Sequence, residues 1–264
     1  MITAGIDIGA ATSKAVILNN DTPLCFSIIP TGSSVVKAAA IVIKKALLKA
    51  GLSMNDLDYV VSTGYGRKSV SYAKKAMTEI ICHASGVNLS MRQARTIIDI
   101  GGQDSKVIRL DKDANVINFV MNDKCAAGTG RFLEVMAGAL GVEISQMGPL
   151  SLLGKHPCQV SSTCTVFAES EMISLRAERK KLEDLLAGIH RALSRRVVIM
   201  GKSLGFEKDV VFTGGVAKNV GIKKILEEQI GLEILVPEEP QIIGALGAAI
   251  LAKTEYCNSS RLNK

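Results

Sequence analysis

A chain of 264 residues, 47% hydrophobic and 22% charged, is long and apolar enough to bury a core, which excludes disorder over most of its length. Its net charge of +7 is spread over helical stretches rather than packed into a tail, and with no Trp and 4% aromatics it lacks the stacking residues of nucleic-acid modules. No charged segment followed by an apolar run opens the chain, and the longest apolar stretch, Ile242–Ala252, is 11 residues with two glycines, against about 20 needed to span a bilayer. No membrane partner is therefore expected, and the location expected is cytoplasmic, with the six cysteines reduced.

The chain opens on an apolar strand that ends near Asp7, a tight turn Gly9-Ala10-Ala11-Thr12-Ser13 and a returning strand. Together, residues 6–18 (IDIGAATSKAVIL) read as a β-hairpin. An amphipathic helix is predicted over Ser33–Ala50, a strand over Tyr59–Ser62, then the turn Thr63-Gly-Tyr-Gly-Arg67 and a helix through about Ala84. Residues 98–110 (IDIGGQDSKVIRL) repeat the opening at an offset of 92, sharing seven of thirteen positions, among them the Asp, the Gly and a Ser-Lys pair. Chance likeness between strands gives Ile/Val matches, not a matched Asp-x-Gly, so the chain reads as two related halves, 1–95 and 96–264. In the second half a strand follows at Val116–Met121, then a helix Gly130–Leu140 and a Gly/Pro-containing loop Gly148–Pro157. A long helical segment, Val166–Leu204, breaks near Lys180. Strand Asp209–Thr213 ends in Gly214-Gly215, and helix Gly221–Gln229, strand Glu233–Val236 and a closing helix Ile243–Lys253 complete the chain. Strands alternating with helices in two halves predict an α/β protein of two lobes with a cleft between them.

The glycine turns suit phosphate. A tight turn of small residues offers successive backbone N–H groups and lets an anion approach closely. Asp7 precedes the first turn and Asp99 the second, Gly101-Gly102-Gln103-Asp104-Ser105. Two carboxylates at the bases of two phosphate loops suit a hydrated Mg²⁺ carried by nucleotide phosphates. Thr12, Ser13, Lys14 and Ser105 add donors, and Gln103 or Asp104 would orient an attacking water. Two ordinary hairpins with turn glycines are the plainer explanation, weakened by the second copy and by a third glycine turn after a strand. Neither GxxxxGK[ST] nor GxGxxG occurs, so this is no P-loop or Rossmann fingerprint.

Two such loops in duplicated lobes, a strand followed by Gly214-Gly215 and a final small-residue helix resemble the actin, hexokinase and heat-shock-protein ATPase superfamily, with its ribonuclease H-like lobes. The resemblance implies that both loops hold phosphates of ATP or ADP. It also implies that Gly214 and Gly215 contact the adenosine, that Glu134 faces the ribose and that Gln241 borders the adenine.

Cys125 (MNDKCAAGTG) and Cys164 (SSTCTVFAESE) stand where loops are expected to become helices. Helix N-termini carry partial positive charge and free N–H groups, which suits a thiolate bound to iron. Packing cysteines sit instead mid-element among apolar neighbours; that reading stays open. Two ligands per chain are half of what a [4Fe–4S] cluster takes, so two copies across a two-fold axis would complete one cluster per homodimer. The rival is a zinc site from Cys125, His156, Cys158 and Cys164, whose spacing is no CxxC knuckle. Cys25, Cys82 and Cys257 read as packing residues, and His190 as solvated on a basic helix face.

These segments, with STGYGRKS, AGIHRALSRRV, FTGGVAKN and QIIGALGAA, resemble the activator (component A) family of 2-hydroxyacyl-CoA dehydratases, within the benzoyl-CoA reductase ATPase group. The resemblance spans nearly the whole chain. It implies a homodimer with one [4Fe–4S] cluster between subunits, reduced by a ferredoxin or flavodoxin. It further implies that ATP binding and hydrolysis drive one low-potential electron to the dehydratase component, where a ketyl radical permits removal of water. Cys125 and Cys164 match the family's cluster ligands; Gly9 to Ser13, Glu134, Gly215 and Gln241 match its nucleotide positions. A small-metabolite kinase of the same fold is the alternative, although no substrate-binding insertion is visible. A non-enzymatic ATP-dependent regulator is the third class.

Overall fold

The computed structural model describes residues 1–161 and 164–262, so Ser162 and Thr163 of the second cysteine motif lie outside the described residues. The first sheet holds β1 (Ile2–Ile8), β2 (Thr12–Asn19), β3 (Thr22–Pro30), β4 (Tyr59–Thr63) and β5 (Lys75–Ala76), in the order β3-β2-β1-β4-β5. The second holds β6 (Thr96–Ile100), β7 (Ser105–Leu110), β8 (Val116–Asn122), β9 (Val210–Thr213) and β10 (Ile234–Leu235), in the order β8-β7-β6-β9-β10. Replacing each strand by the one five later turns the first sheet into the second. Directions agree as well: β1 pairs antiparallel with β2 and parallel with β4, and β6 does the same with β7 and β9. The repeat in the sequence is thus a repeat of topology.

Central strands are buried on both faces and read accordingly as continuous apolar runs. Ala4, Ile6 and Ile8 of β1 and Ile97, Ile98 and Ile100 of β6 are fully buried. The edge strands β3 and β8 alternate or expose their apolar residues. That weak pattern is why β3 carried no signal as a strand.

The helices are α1 (Val35–Ala50), α2 (Glu79–Ser90), α3 (Gly130–Leu140), α4 (Ile144–Ser151), α5 (Thr165–Ala177), α6 (Leu182–Gly201), α7 (Val220–Ile230) and α8 (Ile243–Leu262). In α1, Ala38, Ala39, Val42, Ile43, Ala46 and Leu47 form the buried stripe, Ser34 caps the start and Gly51, with φ 67°, ends it; this is the 3.6-residue period at work. Helix α2 begins later than its turn led one to expect, because residues 67–76 form a 3-10 turn and β5. Helix α4 runs into the expected loop and takes up its first residues, 148–151. Its Pro149 reads as a breaker, yet α4 packs on α6 and α7, and tertiary contact outweighs that single lost bond.

The chain forms two compact units, Met1–Ala94 with Leu110–Val116 and the segment from Gln241, and Arg95–Arg109 with Ile117–Pro240. This corrects the placing of the closing helix with the second half. Helix α8 packs on β1, β4 and α2 of the first unit because three glycines let backbones touch. A Cβ on Gly5 would fall 1.9 Å from the Ala245 carbonyl, one on Gly86 2.2 Å from Ile243 O and one on Gly247 1.7 Å from Cys82 O. No helix among the described residues is long and apolar enough to cross a membrane.

Candidate functional site

In the first unit, β1 and β2 pair through Ile8 and Ser13, leaving residues 9–12 as the turn. The Gly9 N–H donates to the Thr12 carbonyl at 3.1 Å. Thr31, which the sequence reading missed, staples the turn: its N–H donates to Ala11 O and its hydroxyl to Gly9 O. Ser13 is fully buried and its hydroxyl pairs with that of Thr31 at 2.9 Å, so the expected Ser13 donor is engaged inside the protein. Ala10 and Thr12 are half-buried and Ala11 is exposed. Beneath the turn, Lys14 Nζ lies 3.1 Å from Asp7 Oδ2. Asp7 is held from the neighbouring strand by Gly64, whose φ of +82° and contact distance (a Cβ would meet Asp7 Oδ1 at 2.3 Å) admit no side chain. His83 Nε2 and Asp7 Oδ2 both border Gly244.

The second unit repeats this arrangement with more charge. The Gly101 N–H donates to Asp104 O at 2.9 Å. Lys106 Nζ lies 3.3 Å from Asp99 Oδ2 and 2.8 Å from Asp104 Oδ2, and Thr213 Oγ1 donates to Asp99 Oδ1 at 3.0 Å. Gly214, with φ +86°, stands over Asp99 as Gly64 stands over Asp7. The register explains the match: Asp7 pairs with Thr63 and Asp99 with Thr213, each Thr preceding its glycine. The signal for the Gly64 counterpart was the Thr-Gly step ending a predicted strand. The Gly214 N–H donates to Pro240 O, the residue before half-buried Gln241, while Gly215 is exposed in the following 3-10 turn.

Helix α3 docks on this second turn: the N–H groups of Gly130 and Arg131 donate to the carbonyls of Gly101 and Gly102 at 2.8 and 2.9 Å. Two of its free N–H groups are thereby spent on fixing the turn. Gln103 is exposed at the tip, and Ser105 is buried. Glu134 stands on the exposed face of α3, paired with Arg131 at 3.0 Å, one turn away from the docked end.

The cysteines sort by environment. Cys125 is half-buried in the loop five residues before α3, and the Asn122 side chain donates to its carbonyl at 2.9 Å. It does not begin a helix, which corrects the expectation; α3 starts at Gly130, with Thr129 in the N-cap position. Cys164 does begin one, as N-cap of α5, with its carbonyl accepting from Ala168. Helix α5 packs on α3. Among the described residues neither thiol makes a hydrogen bond. By contrast, Cys25 Sγ donates to Ala46 O, and burial pushes the Cys82 thiol up to about 12 and raises that of Cys158. Cys257 is exposed on α8 rather than packed. The backbone N–H groups of His156 and Cys158 are tied to Asp184, and among the described residues no three His, Cys, Asp or Glu side chains gather for a metal.

The sequence profile of the BadF/BadG/BcrA/BcrD ATPase family matches residues 4–252. This chain belongs to that family. It is 47% identical, over 99% of its length and 98% of the relative's, to the 2-hydroxyisocaproyl-CoA dehydratase activator of Clostridioides difficile. To the (R)-2-hydroxyglutaryl-CoA dehydratase activating ATPase of Acidaminococcus fermentans it is 43% identical, covering 95% of this chain and 96% of that one. Its structure superposes with a TM-score of 0.94 on that of the Clostridium difficile 2-hydroxyisocaproyl-CoA dehydratase activator with bound ADPNP, covering 100% of this chain and 98% of that one. The duplicated units accordingly have the fold of the actin, hexokinase and heat-shock-protein ATPases. His190 also departs from its expected place: it is not solvated but fully buried on α6, and burial drops its pKa to about 4.

Proposed function

We propose that this chain is the ATP-hydrolysing activator of a 2-hydroxyacyl-CoA dehydratase or related acyl-CoA reductase, passing it one electron at a time. The observation that carries this reading is the coincidence of two glycine turns, each over an Asp–Lys pair, with two half-buried thiols that make no hydrogen bond among the described residues, in a chain that aligns over nearly its whole length with dehydratase activators.

The chain's residues divide the work. Gly9 to Thr12 and Gly101 to Gln103 present small, open turns to phosphate oxygens, with Lys14 and Lys106 held beneath them. Asp99 and Asp104 both face the ammonium of Lys106 and are assigned to a hydrated Mg²⁺ carried by ATP, and Asp7 serves the first turn. Gln103, exposed at the tip, orients the attacking water. Gly214, Gly215, Glu134 and Gln241 are assigned to the nucleoside; Glu134 must leave Arg131 to reach a ribose.

Cys125 and Cys164 fit a [4Fe–4S] cluster as a donor set. Both lie in the second unit, neither thiol makes a hydrogen bond among the described residues, and their own carbonyls accept from Asn122 and Ala168. Two thiolates per chain complete the four-ligand set only in a homodimer. When bound, the cluster supplies a one-electron store at low potential, refilled by a ferredoxin or flavodoxin. Anaerobic protein should transfer electrons from a reduced ferredoxin to a dehydratase component only while hydrolysing ATP; transfer of equal extent without ATP would contradict the proposal.

A further inference from the structure

Two of the segments noted in the sequence, AGIHRALSRRV and FTGGVAKN, meet in the second unit through a buried polar cluster that the phosphate turns do not use. Asn219, the N-cap of α7, accepts at Oδ1 from the N–H groups of Gly221 and Ile222, both at 3.0 Å. Its amide orientation is therefore fixed, since the flipped amide would face two backbone donors with its own NH₂. That leaves Asn219 Nδ2 toward His190 Nε2 at 3.2 Å, which assigns Nε2 as acceptor and the ring proton to Nδ1, a buried atom without a hydrogen-bond partner among the described residues. The ring is fully buried. A Cβ on Gly221 would lie 2.8 Å from Nδ1 and 2.2 Å from Ser151 Oγ, so α7 can approach the ring only because residue 221 is glycine. Helix α4 reaches the same patch through Gly148, where a Cβ would lie 2.8 Å from Asn219 Oδ1, while Ser151 donates to Gly148 O within that helix.

Asn219 is also the end of the loop that begins at Gly214 over Asp99: its N–H donates to Val216 O at 2.9 Å. We infer that His190 is a positioning residue for the Gly214–Lys218 loop, acting through the Asn219 amide to hold the loop's exit as the Pro240 carbonyl, accepting from the Gly214 N–H, holds its entry. The inference rests on the nucleotide reading above, in which this loop is assigned to the adenosine and not to the phosphate that reacts. Loss of the contact should therefore raise KM for ATP more than it lowers kcat, the pattern of an interaction made equally in ground and transition states. A purely structural histidine would lower Tm without that split.

Nitrogen-15 NMR at pH 7 reads the ring directly, without nucleotide. The expected state of His190 is neutral with the proton on Nδ1; a proton on Nε2, or an imidazolium, would overturn the contact. In steady-state assays, His190→Leu should raise KM for ATP about 5- to 10-fold, one hydrogen bond's worth, with kcat changed less. His190→Gln, whose side-chain oxygen can accept from Asn219, should recover most of it. Should His190→Leu fail to fold, Asn219→Ser decides the matter: it keeps a capping oxygen and loses the amide donor, so the same rise in KM is expected. An unchanged KM in either folded variant would overturn the inference. Failure of wild-type protein to bind ADPNP would instead sink the nucleotide reading, and is told apart because the tautomer is measured first.

Discussion

The two hairpin turns share a backbone, a register and an Asp–Lys pair, and differ in one charge. In the first, Lys14 faces one carboxylate, Asp7, with side chains 13% and 12% exposed. In the second, Lys106 faces two, Asp99 and Asp104, and Asp99 and Lys106 are only 4% and 3% exposed. The difference traces to one aligned position, Thr12 against Asp104. Thr213 adds a bond to Asp99 that Thr63 does not make to Asp7. One framework thus yields a near-neutral turn suited to grip phosphate and an acidic turn suited to a phosphate-bound cation.

Asp99→Asn should have the largest effect, lowering Mg²⁺-dependent ATP hydrolysis about 10²- to 10³-fold, as loss of a preorganised charge in a site does, while Asp7→Asn should cost nearer 10-fold. Equal losses would break the comparison. Next comes stability: Lys106→Met takes the ammonium away from buried Asp99 and half-buried Asp104 and should cost about 3–5 kcal/mol in denaturant unfolding, whereas Lys14→Met, in a more open pair, should cost about 1–2. Asp104→Thr, which writes the first turn's residue into the second, should raise the Mg²⁺ concentration for half-maximal hydrolysis several-fold, about 1 kcal/mol in cation affinity; an unchanged requirement would remove Asp104 from the cation. The smallest effect belongs to Gln103→Ala. Gln103 is exposed, so Tm should hold, and the number of ATP hydrolysed per electron delivered should rise; an unchanged ratio would take Gln103 out of coupling.

Much of this was legible because the repeat is local. Asp-x-Gly and Ser-Lys mark each hairpin since the Lys must reach back across the strand pair to the Asp, and Asp7 faces Lys14, as Asp99 faces Lys106, in register. Helix α3 begins and ends where its glycines placed it. What escaped the reading depends on contacts distant in sequence. Thr31 staples the first turn from just past β3, Gly64 clears room for Asp7 from just past β4, and α8 joins the first unit through the backbone approach at Gly5, Gly86 and Gly247. His190 looked solvated among Arg191, Arg195 and Arg196, but its helix turns it inward against α7. No periodicity distinguishes those outcomes until the partner element is known.

The central claim is that two chains share one cluster through Cys125 and Cys164. It is tested most directly by iron and sulfide analysis of anaerobically purified protein, alongside its absorption near 400 nm and its mass in solution. The account predicts a dimer with about two iron and two sulfide per chain, lost in Cys125→Ala and Cys164→Ala and kept in Cys25→Ala, Cys82→Ala and Cys158→Ala. Full iron in the Cys164→Ala protein, or a loaded monomer, would contradict it.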